Sequence, residues 1–271
     1  MTRKHLFILC PPASGSSLLW KLLKTSPQVS AFPGEGLAMV KSRQLIRNRW
    51  NPREGVDWKA VKRKWRRIWD PGKSVLLEKS PSHLVRAGQL ADNFENSHFI
   101  IMIRNPYAFS EGVKRRWSSP NHLLSRYSYF NIAKFWAICA GYQLQNQKCL
   151  QRNMLLTYED LTEHRQETCR RLIDFVPELG TLNPEGEFPV FEKSGGIENM
   201  NDQQIARLGK GDFFQINEVL RRYPQFLHPF GYQLLNPAAR PGFVAFRRMA
   251  MIMSSLNRLP SAVRWHNWES L

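Results

Sequence analysis

One hydrophobic pattern recurs along the 271-residue chain: a short apolar run, a polar turn, and then apolar residues at helical spacing. The apolar runs are residues 6–10, 74–78, 98–103 and 154–157. Because strands that alternate with helices form βαβ units, the pattern predicts an α/β fold with a central parallel sheet and helices on both faces. In such folds ligands bind beyond the carboxyl ends of the strands, so we expect the ligand site at the turns that follow the apolar runs.

The first of these turns has the composition of a phosphate-binding loop. Residues 11–17 read Pro-Pro-Ala-Ser-Gly-Ser-Ser and lead into the helical pattern of residues 18–23. Small residues leave backbone N–H groups exposed at a helix N-terminus, and Ser16 and Ser17 add hydroxyl donors. The loop is not a Walker A motif, because Ser16 stands where that motif has lysine. An ordinary strand-to-helix turn with a serine cap is the alternative interpretation.

Cations follow two other apolar runs directly. Lys79 comes after residues 74–78, and Arg104 comes after residues 98–103. Arg116 lies twelve residues beyond Arg104, which is about three turns along the following helix. A surface cation is the alternative for each residue taken singly, but together they predict a site for more than one phosphate.

The formal net charge of +17 predicts an anionic ligand, an anionic partner or both. Eleven Lys or Arg residues fall within residues 41–67, against only Glu54 and Asp57. Trp58, Val61, Trp65, Ile68 and Trp69 recur there at helical spacing, so residues 56–69 are expected to form an amphipathic helix with a basic outer face. That face is either a solvated surface or part of a groove for an acidic glycan or peptide, and its tryptophans either line the groove or belong to the core.

The remaining composition bounds the class of protein. Four cysteines without a C-x-x-C pair predict buried free thiols and no metal site. No apolar run is long enough to span a bilayer and the first apolar run begins close to Met1, so we expect a cytoplasmic protein without a signal peptide. Residues 1–236 are expected to form one domain. Residues 237–271 are expected to form a basic amphipathic extension that packs on it, in preference to contacting a membrane surface.

Four segments resemble, in order, motifs of the sulfotransferases that use 3′-phosphoadenosine 5′-phosphosulfate (PAPS), especially the tyrosylprotein and heparan-sulfate branches. They are residues 12–17, 77–81, 101–106 and 158–161. Residues 193–196 resemble the loop that closes over the nucleotide, and residues 230–232 resemble the end of the domain. The resemblance implies a P-loop-like three-layer fold with a helical C-terminal extension. It also implies transfer of a sulfuryl group to a hydroxyl, in preference to an amine, of a glycan, a tyrosyl peptide or a small molecule.

The same resemblance implies a set of residues that bind PAPS, and no metal. They are Ala13, Ser14, Gly15, Ser16 and Ser17 for the 5′-phosphosulfate, Arg104, Ser110, Gly112 and Arg116 for the 3′-phosphate, and Tyr158, Lys193, Ser194 and Gly195 elsewhere around the nucleotide. Two positions depart from the family pattern. Ala13 stands where the family has Lys or Arg, and Gly112 stands where it has serine, for which Ser110 is the candidate substitute.

Two residues are candidates for catalysis. Lys79 is suited to stabilise the departing 5′-phosphate, because an ammonium is a compact charge. Glu35 corresponds in the resemblance to the base that accepts the acceptor's proton, and burial would raise its pKa toward a useful value. A helix N-terminal glutamate is the alternative for Glu35. His83 is a rival base that we rank lower, with surface exposure or helix packing as its expected role.

Other functions remain as alternatives at this point. A P-loop-like nucleotide kinase would need the missing Walker A lysine. A basic nucleic-acid or anion-binding protein would explain the charge, but no zinc finger, RNA-binding motif or helix-turn-helix pattern occurs. An inactive relative that binds the nucleotide is the third alternative. The acceptor pocket of an active enzyme is expected to draw on the aromatic residues Trp117, Tyr127, Tyr129 and Phe130.

Overall fold

The computed structural model describes residues 3–40, 42–116, 128–188 and 196–236. The chain divides into two compact units. The sheet unit comprises Met1–Ile103 and Gln145–Asn199, and the helical unit comprises Arg104–Leu144 and Met200–Leu271. The predicted domain boundary at residue 236 coincides with the end of the described residues, so the predicted extension lies outside them.

The sheet unit contains a five-stranded parallel sheet. Its strands are β1 (Lys4–Leu9), β2 (Val29–Ala31), β3 (Val75–Glu78), β4 (Ser97–Ile103) and β5 (Asn153–Thr157), in the order β2-β3-β1-β4-β5. Leu6 of β1 pairs with Leu77 on one side and with His98 on the other. The predicted α/β fold with a central parallel sheet is therefore confirmed. The strand β2 was not among the predicted apolar runs.

Helices of the sheet unit cover both faces of the sheet. They are α1 (Ser16–Leu23), α2 (Gly36–Met39), α3 (Arg43–Arg47), α4 (Trp58–Arg66) and α5 (Ala87–Asn93). In the helical unit, α6 (Pro106–Arg116) comes next, and α7 (Tyr129–Cys149) begins there. The sheet unit resumes with α8 (Tyr158–Glu163) and α9 (Arg165–Phe175), and the helical unit with α10 (Asn201–Ile205) and α11 (Lys210–Leu220). Short 3-10 helices occupy Pro81–Arg86, Pro177–Leu179, Pro224–Phe226 and His228–Phe230.

Alternation along β1 divides the core of the sheet unit into two layers. Leu6 and Ile8 join a cluster with side chains of α1, α8 and α9, whereas Phe7 and Leu9 join a cluster with side chains of α4 and α5. Successive side chains of a strand point to opposite faces, so each layer receives every second residue. This arrangement is the three-layer architecture that the sequence predicted.

The basic helix is shorter than the predicted span of residues 56–69. The carboxylate of Asp57 accepts a hydrogen bond from the N–H of Ala60 at 2.9 Å and caps the helix α4. Trp58 and Trp65 are buried in the core, as is Trp69 beyond the helix end. These tryptophans therefore stabilise the fold and do not line a groove. Ile68 was expected on the apolar face, but it is exposed.

The helical unit is held by buried polar contacts as well as by apolar packing. The indole of Trp136 on α7 donates to the carbonyl of Arg104 at 2.8 Å. The hydroxyl of Tyr107 on α6 donates to the side chain of Asn217 on α11 and accepts from the N–H of Leu235 at 2.8 Å. These bonds fix the start of α6, the helix that follows the candidate phosphate-binding arginine.

No helix within the described ranges has the length and apolar content needed to cross a membrane. Cys10, Cys139 and Cys169 are buried and form no disulfide, as expected. Cys149 is also free but exposed, which differs from the expectation. It is the last residue of α7, where the helix leaves the core.

Candidate functional site

The first loop of the sheet unit has a conformation that requires glycine. Gly15 precedes α1 with φ +83°, in the left-handed region, and its carbonyl accepts from the N–H groups of Leu18 and Leu19. A Cβ atom at Gly15 would lie 2.3 Å from Cδ2 of Tyr158. The ring of Tyr158 and the backbone of Gly15 are therefore in close contact, which fixes the loop at the N-terminus of α1.

Two features of this loop fit an anionic group. The Oγ atom of Ser14 is buried, and no hydrogen-bond partner for it occurs among the described residues. The first N–H groups of a helix also have no partner within the helix, and the partial positive charge there favours an anion. A buried hydroxyl and a helix N-terminus thus meet at Ser14 and Ser16, as a phosphate-binding loop needs.

Ala13 adopts a left-handed backbone with φ +60°, which is uncommon for a residue other than glycine. It stands where the resemblance leads one to expect Lys or Arg, so its methyl group supplies no charge to the loop. Any positive charge in this part of the sheet unit must therefore come from other elements.

The thiol of Cys10 is influenced by the charges of Lys79 and Glu35 and by a hydrogen bond with Ser16. Burial raises the pKa of Cys10 to about 11, while the positive charge of Lys79 and a hydrogen bond with Ser16 oppose that rise. The negative charges of Glu35 and Glu78 reinforce it. These effects require the groups to lie near the thiol. The sheet unit thus brings the loop and both candidate catalytic residues into one neighbourhood, at the carboxyl ends of β1 and β3.

Glu35 occupies the N-cap position of α2 and is only partly buried. Its side chain is 35 % exposed, and Oε2 lies 4.0 Å from a guanidinium nitrogen of Arg49. The burial expected of Glu35 is therefore incomplete, because its carboxylate is partly exposed to solvent and faces the cation of Arg49. Sequence reasoning assigned no role to Arg49, which lies fourteen residues further along the chain.

His83 is enclosed by aromatic rings rather than presented to solvent. Its side chain has no exposed surface and packs against Phe7, Trp58 and Trp65. Nε2 lies 2.8 Å from Oε2 of Glu78, the distance of an ion pair, although the angle departs from that of a good hydrogen bond. Of the two roles expected for His83, surface exposure is therefore wrong, and packing within the fold agrees with its burial.

The helical unit holds Arg104 and Arg116 near each other. Arg104 is buried, and its Nε donates to Oδ1 of Asn201 on α10 at 2.8 Å. Arg116 ends α6 and is exposed, yet surrounding protein atoms together with the charges of Arg115 and Arg104 lower its pKa. Like charges repel, so an anionic group is favoured close to this pair. This fits the 3′-phosphate assignment for both arginines.

The two serine-related positions on α6 differ in surroundings. Ser110 is fully buried and its hydroxyl donates to the carbonyl of Pro106 at 2.6 Å, so it is engaged within its own helix. A Cβ at Gly112 would lie 3.4 Å from Nε2 of Gln204 on α10. Sequence reasoning missed Asn201 and Gln204, which lie three residues apart on α10. The segment is short and polar, so it has no apolar pattern that would have indicated a buried helix.

Tyr158 and the later loop complete the predicted set. The hydroxyl of Tyr158 donates to the carbonyl of Glu198 at 2.9 Å, and its ring contacts Gly15. It therefore shapes the first loop within the sheet unit. Lys193, Ser194 and Gly195 lie outside the described residues, as do Trp117 and Tyr127 of the expected acceptor pocket. Tyr129 and Phe130 are half-buried at the start of α7.

Comparison with known proteins decides the family. Residues 5–178 match the Sulfotransferase family. The chain belongs to this family. The match spans the strands, the first loop, Lys79, Arg104 and Tyr158. No curated protein matches the chain.

Among the solved structures compared with the chain, one supports the same fold with a TM-score above 0.5. The sulfotransferase STF1 of Mycobacterium tuberculosis H37Rv is similar with a TM-score of 0.52 and 12 % identity, over 83 % of this chain and 77 % of that one. The sulfotransferase of Alicyclobacillus acidocaldarius aligns with a TM-score of 0.47 and 14 % identity, over 82 % and 97 %. The sulfotransferase domain of the curacin biosynthetic pathway aligns with a TM-score of 0.47 and 19 % identity, over 93 % and 98 %. At this identity the likeness to STF1 shows the fold alone.

One cavity of this sulfotransferase is separate from the candidate site. A cavity of about 580 Å³ lies at the amino edge of the sheet, lined by Arg3, His5, Lys62 and Arg66 among others. It is remote from the first loop, which follows the carboxyl end of β1. Within the described ranges, no three His, Cys, Asp or Glu side chains are grouped as metal ligands would be.

Proposed function

We propose that this sulfotransferase moves a sulfuryl group from PAPS to a hydroxyl group of its acceptor. The observation that carries the proposal is the buried Oγ of Ser14, which has no hydrogen-bond partner among the described residues and lies beside the N-terminus of α1, at the sheet edge where Lys79 also follows its strand. Family membership favours sulfuryl transfer over the nucleotide-kinase and nucleic-acid-binding alternatives. PAPS would supply the sulfuryl group, activated by its anhydride bond to the 5′-phosphate.

Residues of the sheet unit are assigned to the 5′ end of the nucleotide. The N–H groups and hydroxyls of residues 14–17 would hold the 5′-phosphate at the start of α1. The buried Oγ of Ser14 supports this assignment, since a phosphate oxygen would satisfy it. Ala13 and Gly15 would shape the loop, and Tyr158 would fix Gly15 by direct contact.

Residues of the helical unit are assigned to the 3′-phosphate. Arg104 and Arg116 supply the charge, and Asn201 orients the guanidinium of Arg104 through its hydrogen bond. Ser110 and Gly112 remain in the predicted set. The hydroxyl of Ser110 is engaged with Pro106, so its contribution is to the helix that carries the cations. The predicted residues 193–195 would add contacts from the later loop.

The chemical step requires one proton acceptor and one cation. Glu35 accepts the proton of the acceptor hydroxyl, whose oxygen then forms the new bond to sulfur while the bond from sulfur to the 5′-phosphate oxygen breaks. Lys79 neutralises the charge that gathers on the departing phosphate, and it carries a larger share because Ala13 offers none. Partial exposure of Glu35 leaves room for an acceptor to reach it.

The proposed acceptor is a glycan, a tyrosyl peptide or a small molecule that carries a hydroxyl group. The exposed basic side chains of α4 favour an acceptor with negative charge, since they present cations to solvent from one face. They include Lys59, Arg63 and Lys64, and Arg67 follows the helix.

Transfer of labelled sulfuryl groups from PAPS to phenolic, peptide and glycan acceptors tests the proposal. Glu35→Gln is expected to lower kcat by on the order of 100-fold or more while the affinity for 3′-phosphoadenosine 5′-phosphate (PAP) stays within about twofold. Glu167→Gln, an exposed carboxylate on α9, serves as the matched control. Arg104→Ala is expected to weaken PAP binding most.

Thermal stabilisation separates the nucleotide classes. PAP is expected to raise the midpoint of thermal unfolding more than ATP or adenosine 5′-phosphate, because only PAP carries a 3′-phosphate for Arg104 and Arg116. Equal stabilisation by the three nucleotides, or phosphoryl transfer from ATP that depends on magnesium, would contradict the proposed function.

A further inference from the structure

We propose that Glu78, Ser80 and His83 form a buried anchor that holds Glu35 in place beside Lys79. They act as positioning residues, and this role in turnover rests on the proposed function of Glu35 as the base. The anchor itself is a property of the fold and is open to measurement without any activity.

Glu78 and Ser80 bind the backbone directly after Glu35. Oε1 of Glu78 accepts a hydrogen bond from the N–H of Gly36 at 2.8 Å and another from the hydroxyl of Ser80 at 2.5 Å. Oγ of Ser80 accepts from the N–H of Leu37 at 3.2 Å. The first two N–H groups of α2 are therefore both held by the chain segment at the end of β3. An acidic group at a helix N-terminus also interacts favourably with its partial positive charge.

The backbone of Gly36 is held at its carbonyl as well as at its N–H group. Its carbonyl accepts a hydrogen bond from the indole Nε1 of Trp65 at 3.0 Å. A Cβ at Gly36 would lie 2.8 Å from the ring of Phe32 and 2.9 Å from Cγ of Glu78, so only glycine allows this close approach. The residue next to Glu35 is thus fixed by two hydrogen bonds and by tight packing.

His83 allows the carboxylate of Glu78 to be buried. Both side chains are 0 % exposed, and a buried carboxylate without a partner is costly. Nε2 of His83 faces the second carboxylate oxygen, Oε2, at 2.8 Å. The rings of Trp58 and Trp65 enclose the imidazole and exclude water from the pair.

Residues 78–80, which contribute Glu78 and Ser80 to the anchor, also carry the candidate cation Lys79. In extended backbone, successive side chains point to opposite sides, so Glu78 and Ser80 face the anchor while Lys79 faces away from it. Lys79 is half-buried, whereas its two neighbours are fully buried. One short segment therefore fixes the cation and, through hydrogen bonds, the backbone of the base.

Hydrogen exchange tests the anchor without reference to activity. Ser80→Ala removes the acceptor for Leu37 and a donor to Glu78, so we expect amide exchange in residues 35–40 to quicken by about tenfold or more. Ser26→Ala is the matched control, because this buried serine also makes two hydrogen bonds, to Leu179 and Gln28, away from α2. Unchanged exchange in residues 35–40 of the Ser80 variant, or the same increase in both variants, would overturn the anchor.

A double-mutant cycle tests its role in turnover. We expect Ser80→Ala and Glu78→Gln each to lower kcat by on the order of 10- to 100-fold with PAP affinity nearly unchanged, since small displacements of a reacting group are costly. In a Glu35→Gln background the same changes should cost little more, because the group they position is already lost. Fully additive losses would show that Glu78 and Ser80 do not act through Glu35.

The conservative variant at His83 separates positioning from general stability. His83→Gln retains a polar N–H group beside the carboxylate of Glu78 and is expected to keep more turnover than His83→Leu at equal folded fraction, checked by circular dichroism. Equal turnover in the two variants would remove His83 from the anchor. If the native enzyme transferred no sulfuryl group, the proposed function would fail, while the exchange measurement would still decide whether the anchor exists.

Discussion

At the scale of single residues, Gly15 has the most restrictive surroundings in the first loop. Gly15→Ala would place a methyl group against the ring of Tyr158 in a left-handed backbone, so both the fold and the loop should suffer. Gly231→Ala is the matched control, since Gly231 is also left-handed, with φ +76° and ψ 10°, but no described atom lies within 4 Å of its Cβ position. We expect Gly231→Ala to lower the free energy of unfolding by about 1 kcal/mol without changing PAP affinity.

For Gly15→Ala we expect a larger loss, about 2–4 kcal/mol, and at least tenfold weaker PAP binding, because the ring must move and the loop with it. Urea unfolding and titration calorimetry measure the two quantities. If both alanine variants behaved alike, the contact between Gly15 and Tyr158 would not shape the loop.

Ala13 is the other informative residue of this loop, because its methyl group stands in place of an expected cation. Ala13→Lys should strengthen PAP binding by on the order of fivefold at low salt, since a charge about 4 Å from a phosphate contributes about 1 kcal/mol even in water. Ala13→Gln has a similar length without the charge and is the control. Equal affinities for the two variants would mean that the side chain at this position does not reach the bound nucleotide.

At the scale of elements, the apolar pattern predicted the strands and helices that are encoded by local sequence. The strands β1, β3, β4 and β5 coincide with apolar runs, whereas β2 has only three residues and two of them are half-buried. The predicted helix over residues 56–69 was too long, because periodicity does not register the cap at Asp57. The strand ends correctly located Lys79 and the first loop.

The apolar pattern could not predict the hydrogen bonds that Glu78 and Ser80 make with the start of α2. Glu78 closes an apolar run and Ser80 follows it, so both read as ordinary turn residues. Their role appears only when α2, which is 42 positions away in the chain, brings the N–H of Gly36 to the carboxylate. A single acid at the end of a buried strand was the available signal, because such a charge needs a partner.

At the scale of the whole molecule, the net charge of +17 attracts anions in general. The positions of the exposed Lys and Arg side chains determine where on the surface an anion binds. The exposed cations of α4 form a local concentration, and Lys148 and Arg152 are exposed cations elsewhere in the sheet unit. Removing two charges from either place changes the net charge equally. The comparison therefore separates a local acceptor surface from a general field.

Lys59→Gln combined with Arg63→Gln is expected to lower kcat/KM for an acidic peptide or glycan acceptor by about three- to tenfold in about 50 mM NaCl, and to leave a neutral phenolic acceptor unaffected. Lys148→Gln with Arg152→Gln should change both acceptors little. The difference should vanish near about 1 M NaCl, where charges are screened within about 3 Å. Equal losses in the two double variants would assign the effect to net charge, and α4 would then have no special part in binding the acceptor.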